Sequence, residues 1–149
     1  KVPGIDGQKM SKSYGNDLLI FEGEKQLRKK VMAIVTDSQG VEDTKDPEGN
    51  TIYELYKLVA SEEQAAEMAD KMRATEIGYG YGHAKQQLFD SLMEFFADAR
   101  ARRLQLEANP QQVEEILQEG ARRVRPVIEE TMDAVRSAVG VRSTHLTRE

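Results

Sequence analysis

The chain has no cysteine, no tryptophan, two histidines and four prolines in 149 residues. Without cysteine there is neither a disulfide nor a thiolate metal site, which fits a reducing compartment. His83 and His145 stand apart, with no carboxylate cluster at ligand spacing, so no metal site is expected and His83 reads as a first-turn surface residue. Aromatic residues make up 6% of the chain, so any core must be aliphatic and rich in methionine. No apolar run approaches the ~18 residues that a membrane span needs, and no signal peptide is visible. A cytoplasmic protein without membrane contact is therefore expected. At 39% hydrophobic, the chain can bury one modest core, or one core and a short appended segment. Long period-2 alternation is missing as well, which argues against a sheet.

The net charge of −5 argues at first against a nucleic-acid partner. Its distribution is more informative. Residues 1–30 carry seven Lys/Arg against four Asp/Glu, whereas residues 31–96 carry five against thirteen. Residues 97–149 carry nine of each sign, and all nine cations there are arginine. An RNA footprint needs a local basic face, not a basic protein, so the total does not exclude one.

Apolar spacing predicts a mainly helical chain. Leu27, Val31 and Ile34 share one face from Glu24 to about Ile34. Residues 36–50 are rich in Asp, Gly, Pro and Ser and form the longest loop, one read as disordered in part. Asn50 or Thr51 caps a helix bearing Ile52, Leu55, Tyr56 and Val59, and Ser61-Glu62-Glu63-Gln64 matches a capping box. The glycines of Gly78-Tyr79-Gly80-Tyr81-Gly82 break the helix that follows. A long helix is expected from His83 to Ala108, with Leu88, Leu92, Phe95 and Ala99 on its stripe. Asn109-Pro110 opens a last helix to Val139, where Pro126 predicts a kink near Arg122. Segments 51–60, 61–74, 83–108 and 110–139 are expected to form one antiparallel bundle.

The stretch with the most chemistry is Gly7-Gln8-Lys9-Met10-Ser11-Lys12-Ser13-Tyr14-Gly15-Asn16. Two lysines three residues apart, among glycine, serine and asparagine, suit a mobile loop whose ammonium groups can reach phosphate oxygens. Serine hydroxyls and backbone N–H groups add donors. A lone Lys-x-x-Lys is more often a solvated turn.

The complete string Lys9-Met10-Ser11-Lys12-Ser13 resembles the signature loop of class I aminoacyl-tRNA synthetases. Its flanks, Pro3-Gly4-Ile5-Asp6-Gly7-Gln8 and Tyr14-Gly15-Asn16, are similar to the bacterial tryptophan enzymes of that class. Arg28-Lys29-Lys30-Val31, Val35-Thr36-Asp37-Ser38 and Gly80-Tyr81-Gly82 with Lys85 extend the resemblance, in order, to about Gly140. The class also carries a His-x-Gly-His signature, which this chain lacks, and the chain opens on Lys1-Val2-Pro3. It reads as a carboxy-terminal piece, not expected to be active alone.

The resemblance implies a partition. Residues 1–22 would end a nucleotide-binding α/β domain, residues 23–140 would form a helical bundle of the anticodon-binding type, and residues 141–149 would be a tail. Lys9 and Lys12 would act in catalysis, and Lys9, Met10, Ser11, Lys12 and Ser13 would bind ATP, with magnesium, as substrate. Arg100, Arg102, Arg103, Arg122 and Arg123 would contact the tRNA for tryptophan, or else form a solvated face paired with Glu119, Glu129 and Glu130. Tyr79 and Tyr81 either stack on a base or pack at the helix junction, with packing preferred. The whole enzyme would activate tryptophan in a pocket outside this chain and would be a homodimer. A tyrosine enzyme and a non-catalytic, synthetase-like RNA-binding module remain the alternatives.

Overall fold

Gly78, with a φ of +62°, and Gly80 sit where the sequence predicts a break, and helices flank that break on both sides. The computed structural model describes residues 1–75 and 78–141 and divides them into two compact units, Lys1–Ala101 and the part that begins at Arg102. The tail expected at 141–149 lies, beyond Val141, outside the described residues. Among the described residues there are six α-helices and no strand, only a single bridge between Pro3 and Lys9. The mainly helical reading therefore holds.

The first unit is built on α1 (Glu24–Met32), α2 (Thr51–Tyr56), α3 (Glu62–Arg73) and α4 (Tyr81–Phe95). Helix α4 packs against α1 and α2, and α2 against α3. Leu27, Val31, Ile34, Ile52, Leu55, Tyr56, Met68, Met72, Leu88, Phe89 and Leu92 form the centre of the core. Aliphatic and methionine side chains dominate it, as the scarcity of aromatics requires. The caps are those the sequence predicts. Asn50 accepts from the amides of Ile52 and Tyr53, and Ser61 and Gln64 bond reciprocally at 3.2 and 2.8 Å.

Two expectations need correction. The single helix expected over 83–108 is two, α4 and α5 (Ala97–Ala108), with Phe96 leaving helical geometry at φ −98° and ψ 10°. Phe96 turns to the core while Phe95 and Ala99 are exposed, so the buried stripe runs through Ala84, Leu88, Phe89 and Leu92. Phe95 and Phe96 meet edge to face at the break between the two helices. Second, α1 belongs to the core while α6 (Pro110–Ala138) contributes no buried residue. Helix α6 runs on through Pro126. The proline still lacks an N–H, so the Arg122 carbonyl has no partner four residues on.

The long loop is stapled from inside. Lys45 is 1% exposed, and its ammonium donates to the carbonyls of Gly40 and Asp43 at 2.7 and 2.8 Å. Its own N–H donates to the Met72 carbonyl, tying the loop to the end of α3.

Candidate functional site

The lysine-bearing turn is held by one asparagine. Asn16 is buried, and its side-chain amide donates to Asp6 Oδ1 at 2.8 Å and to the Lys9 carbonyl at 3.1 Å. Its Oδ1 accepts from the Ser11 N–H at 2.8 Å, while its backbone carbonyl accepts from Ile5. The four bonds close residues 5–16 into a compact loop, every polar atom of the Asn16 amide being used. Gly4 lies against it so closely that a Cβ there would sit 2.5 Å from Asn16 Cγ. Asp6 also accepts from the Gln8 N–H, and the Asn16 bond is the main reason its carboxyl lies below the ordinary aspartate range.

Above this frame, Lys12–Tyr14 make one 3-10 turn, and Gly15 at φ +67° donates its N–H back to the Lys12 carbonyl. Ser11 and Ser13 hydroxyls meet at 2.8 Å. Met10 is half-buried and packs on the edge of the core, which seats the middle of the loop. Lys9 and Lys12 are exposed, and among the described residues neither ammonium has a hydrogen bond or an ion pair. The predicted binding residues Lys9, Met10, Ser11, Lys12 and Ser13 are thus brought into one turn. Its two free cations and two hydroxyls are the donor set that suits a phosphate chain.

Both stems of the loop are anchored to helices. On the amino side, the Ile5 carbonyl accepts from Val35 at 2.8 Å, just after the end of α1. Lys85, from α4, donates to the Met32 and Ile34 carbonyls there at 3.1 and 2.6 Å. Burial of its ammonium pushes its pKa below the usual lysine value. On the carboxy side, Lys30 reaches Glu22 at 3.4 Å and Asp17 at 3.9 Å. The Arg100 guanidinium donates to the Ile20 carbonyl and, at 3.0 Å, to the Glu22 carbonyl. Sequence reasoning names Asp6, Asn16 and Lys85 only as parts of its motifs and misses the bonds they make, as it misses this role of Arg100. Asparagine inside a glycine-rich stretch is the one signal for the first pair.

The other predicted residues are placed as follows. Tyr79 donates to Gln87, which donates to Tyr56, and Tyr81 donates to Asp37 at 2.9 Å, so both tyrosine hydroxyls are engaged at the helix junction. Burial, first, and the Asp37 bond push Tyr81 up to about 12. His83 lies exposed in the first turn of α4, its Nδ1 accepting from the Gly80 N–H. A cleft of about 390 Å³ opens beside the long loop, lined by Asp37, Asp46, Glu48 and neighbouring polar residues. Its negative lining repels phosphate. Of the five arginines, Arg100 is half-buried on its two carbonyls. Arg103 bonds Glu107 and Arg122 pairs with Glu119, both along their own helices. Arg102 and Arg123 are exposed and, among the described residues, have no hydrogen bond or ion pair.

Comparison with known proteins agrees with these features. The family model described as "tRNA synthetases class I (W and Y)" matches residues 1–97. Tryptophan–tRNA ligase of Rhodopirellula baltica is 46% identical over 142 residues, 95% of this chain and 44% of that protein. The Fusobacterium nucleatum ligase is 41% identical over 94% of the chain and 42% of its own length. The structure of tryptophanyl-tRNA synthetase from Campylobacter jejuni complexed with ADP and tryptophan matches at a TM-score of 0.88 and 38% identity, over 94% of this chain and 43% of that one. The chain therefore spans less than half the length of these relatives. Loop, helices and family match agree, and the chain belongs to the class I tRNA synthetase family of the tryptophan and tyrosine enzymes.

Proposed function

We propose that this chain is part of a tryptophan–tRNA ligase, supplying the ATP-phosphate loop and the helices that bind the tRNA anticodon. The names of the similar proteins support tryptophan over tyrosine. Residues 1–22 end the nucleotide-binding domain, residues 23–140 are the anticodon-binding bundle that follows the signature loop, and residues 141–149 are a tail. The complete enzyme is a cytoplasmic homodimer whose tryptophan pocket lies outside this chain.

In the reaction, a carboxylate oxygen of tryptophan attacks the α-phosphorus of ATP. The bond from that phosphorus to the bridging oxygen breaks, and pyrophosphate departs with the electron pair. A terminal ribose hydroxyl of the tRNA then attacks the adenylate's carbonyl carbon, losing its proton, and the bond to the phosphate oxygen breaks to release AMP. Negative charge grows on the β- and γ-phosphates as they leave, and Lys9 and Lys12 neutralise it without a covalent step. Ser11, Ser13 and the turn's backbone orient the phosphate chain, Met10 seats the turn beside adenine, and magnesium arrives with the nucleotide. The observation that carries the reading is the pair of exposed lysine ammonium groups, unpaired among the described residues, on a turn whose base is fixed by Asn16.

Of the predicted tRNA-contacting arginines, Arg100 is occupied on the stem of the turn. Arg102, Arg103, Arg122 and Arg123 form the proposed tRNA contacts, with Arg102 and Arg123 free of hydrogen bonds and ion pairs among the described residues. Guanidinium groups pair with phosphate and stack on unpaired bases, which suits an anticodon loop.

The decisive experiment is amino-acid-dependent exchange of pyrophosphate into ATP by a complete enzyme carrying this chain, with each standard amino acid in turn. Tryptophan alone should support exchange, and Lys12→Ala should slow it on the order of 10²–10³-fold with tryptophan binding nearly unchanged. Exchange driven by tyrosine would move the chain to the other branch of the family. An unchanged rate for Lys12→Ala would leave Lys12 a surface residue.

A further inference from the structure

By sequence Arg100 is one more cation of an RNA-facing cluster, yet its guanidinium reaches back about eighty positions along the chain. One nitrogen donates to the Ile20 carbonyl and the other to the Glu22 carbonyl. These carbonyls belong to the stretch that leaves the lysine turn, four and six residues beyond Asn16. Residues 17–23 have no helix or strand of their own. Leu18 packs on the core, while Leu19 and Phe21 are exposed. Backbone carbonyls in such a segment need donors from elsewhere. A planar guanidinium can satisfy two of them at once with its fork held rigid, which a lysine ammonium on a flexible stem does less well.

Glu22, whose carbonyl Arg100 holds, also carries a carboxylate that meets Lys30 of α1 at 3.4 Å. Lys30 in turn lies 3.9 Å from Asp17, the residue after Asn16. The stem is therefore gripped by two cations, one from α1 and one from α5. Lys30 acts through side-chain charge, and Arg100 acts on the backbone itself. Of the two, the backbone grip bears directly on the path by which the chain leaves the turn.

We propose that Arg100 is a positioning residue for the phosphate-binding turn, setting through Ile20 and Glu22 the place that Lys12 occupies as pyrophosphate departs. The inference rests on the reading of that turn given above and adds to it a residue far from the phosphates. Arg100 touches no reacting atom. Its effect passes through the stem, so it exists only while Lys12 is there to be placed.

That dependence makes a double-mutant cycle the test, run on the complete enzyme with kcat and KM for ATP and tryptophan measured separately. Arg100→Ala should lower kcat for adenylate formation by about tenfold, since small misplacement of a charge-stabilising group is expensive. KM for tryptophan should stay within about twofold of wild type. On a Lys12→Ala background the same change should cost less than about twofold, because groups acting in series are not additive. Arg100→Lys, which keeps the charge and one donor direction, should fall between Arg100→Ala and wild type. Should the alanine variant fail to fold, Arg100→Met keeps the aliphatic stem and takes its place in the cycle.

Several outcomes overturn the proposal. Full multiplication of the two effects would make Arg100 a general support of the fold, with the function of the turn untouched. An unchanged kcat in both Arg100→Ala and Arg100→Met would equally remove it from the placement of the turn. A lysine variant as impaired as alanine would show that the paired donors are not what matters. If wild-type exchange is normal and Lys12→Ala has no effect, the reading of the turn fails, and this inference with it.

Discussion

Helices α4 and α6 both carry apolar residues at helical spacing, and they end in opposite environments. In the first unit Leu88 is 0% and Phe89 4% exposed, whereas in the second Leu117 and Val127 are each 63% exposed. Yet α6 has the longer stripe, with Val113, Leu117, Val124, Ile128 and Val135 following one another at intervals of four or seven residues. Spacing therefore defines which face of a helix can be buried, and the presence of a covering element decides whether it is. Stability in α4 comes from packing. In α6, where no described residue is buried, the Asn109 cap, Pro110 in the first turn, and pairs such as Arg122 with Glu119 contribute from within the helix.

The comparison can be broken most forcefully by deleting the same chemistry on both sides. Leu88→Ala should destabilise the first unit by about 2–5 kcal/mol, through lost burial and the cavity left behind. Leu117→Ala should change the melting transition by less than about 0.5 kcal/mol. Chemical denaturation of both variants decides it, and equal losses would mean that α6 is covered in solution.

A smaller effect sharpens the picture inside the first unit. Gly4→Ala puts a methyl group 2.5 Å from the Asn16 side chain and 2.7 Å from its carbonyl oxygen. One of the bonds that close the turn must then give way. A loss of about 1–3 kcal/mol is expected, together with faster tryptic cleavage after Lys9 or Lys12. Unchanged cleavage would show that the turn does not depend on this contact.

The least visible change in stability belongs to the second unit. Arg123→Ala removes an exposed guanidinium and should leave the melting curve within about 0.5 kcal/mol of wild type. In the complete enzyme it should weaken tRNA binding and lower the salt dependence of that binding by roughly one ionic unit. Affinity and slope matching wild type would place the anticodon surface elsewhere.

Much of this is legible in the residues because it is local. The lysine turn, the Asn50 cap, the Ser61–Gln64 box and the Asn109–Pro110 start are each written within a few positions of the chain. The bend at Phe96 is not, since neither glycine nor proline marks it. What decides there is which of two adjacent phenylalanines finds the core, and that depends on distant helices. The same holds for the anchors of the turn. Lys85 and Arg100 look like surface cations until the fold brings carbonyls from more than fifty residues away to meet them. The spacing of α6 marks a face and leaves open what lies against it, because periodicity carries no information about a partner.

The enclosed Lys45 bears on how the lysine turn can be watched. An amine-modifying reagent needs an approach to nitrogen, and Lys45 offers none, with its ammonium bound to two carbonyls and 5.6 Å from the centre of the Tyr81 ring. Lys9 and Lys12 stand open to the same reagent. Modification read peptide by peptide in a mass spectrometer thus has an internal zero built into the chain. Protection of the turn by ATP can be measured against it, and labelling of Lys45 would report that the molecule itself had come apart.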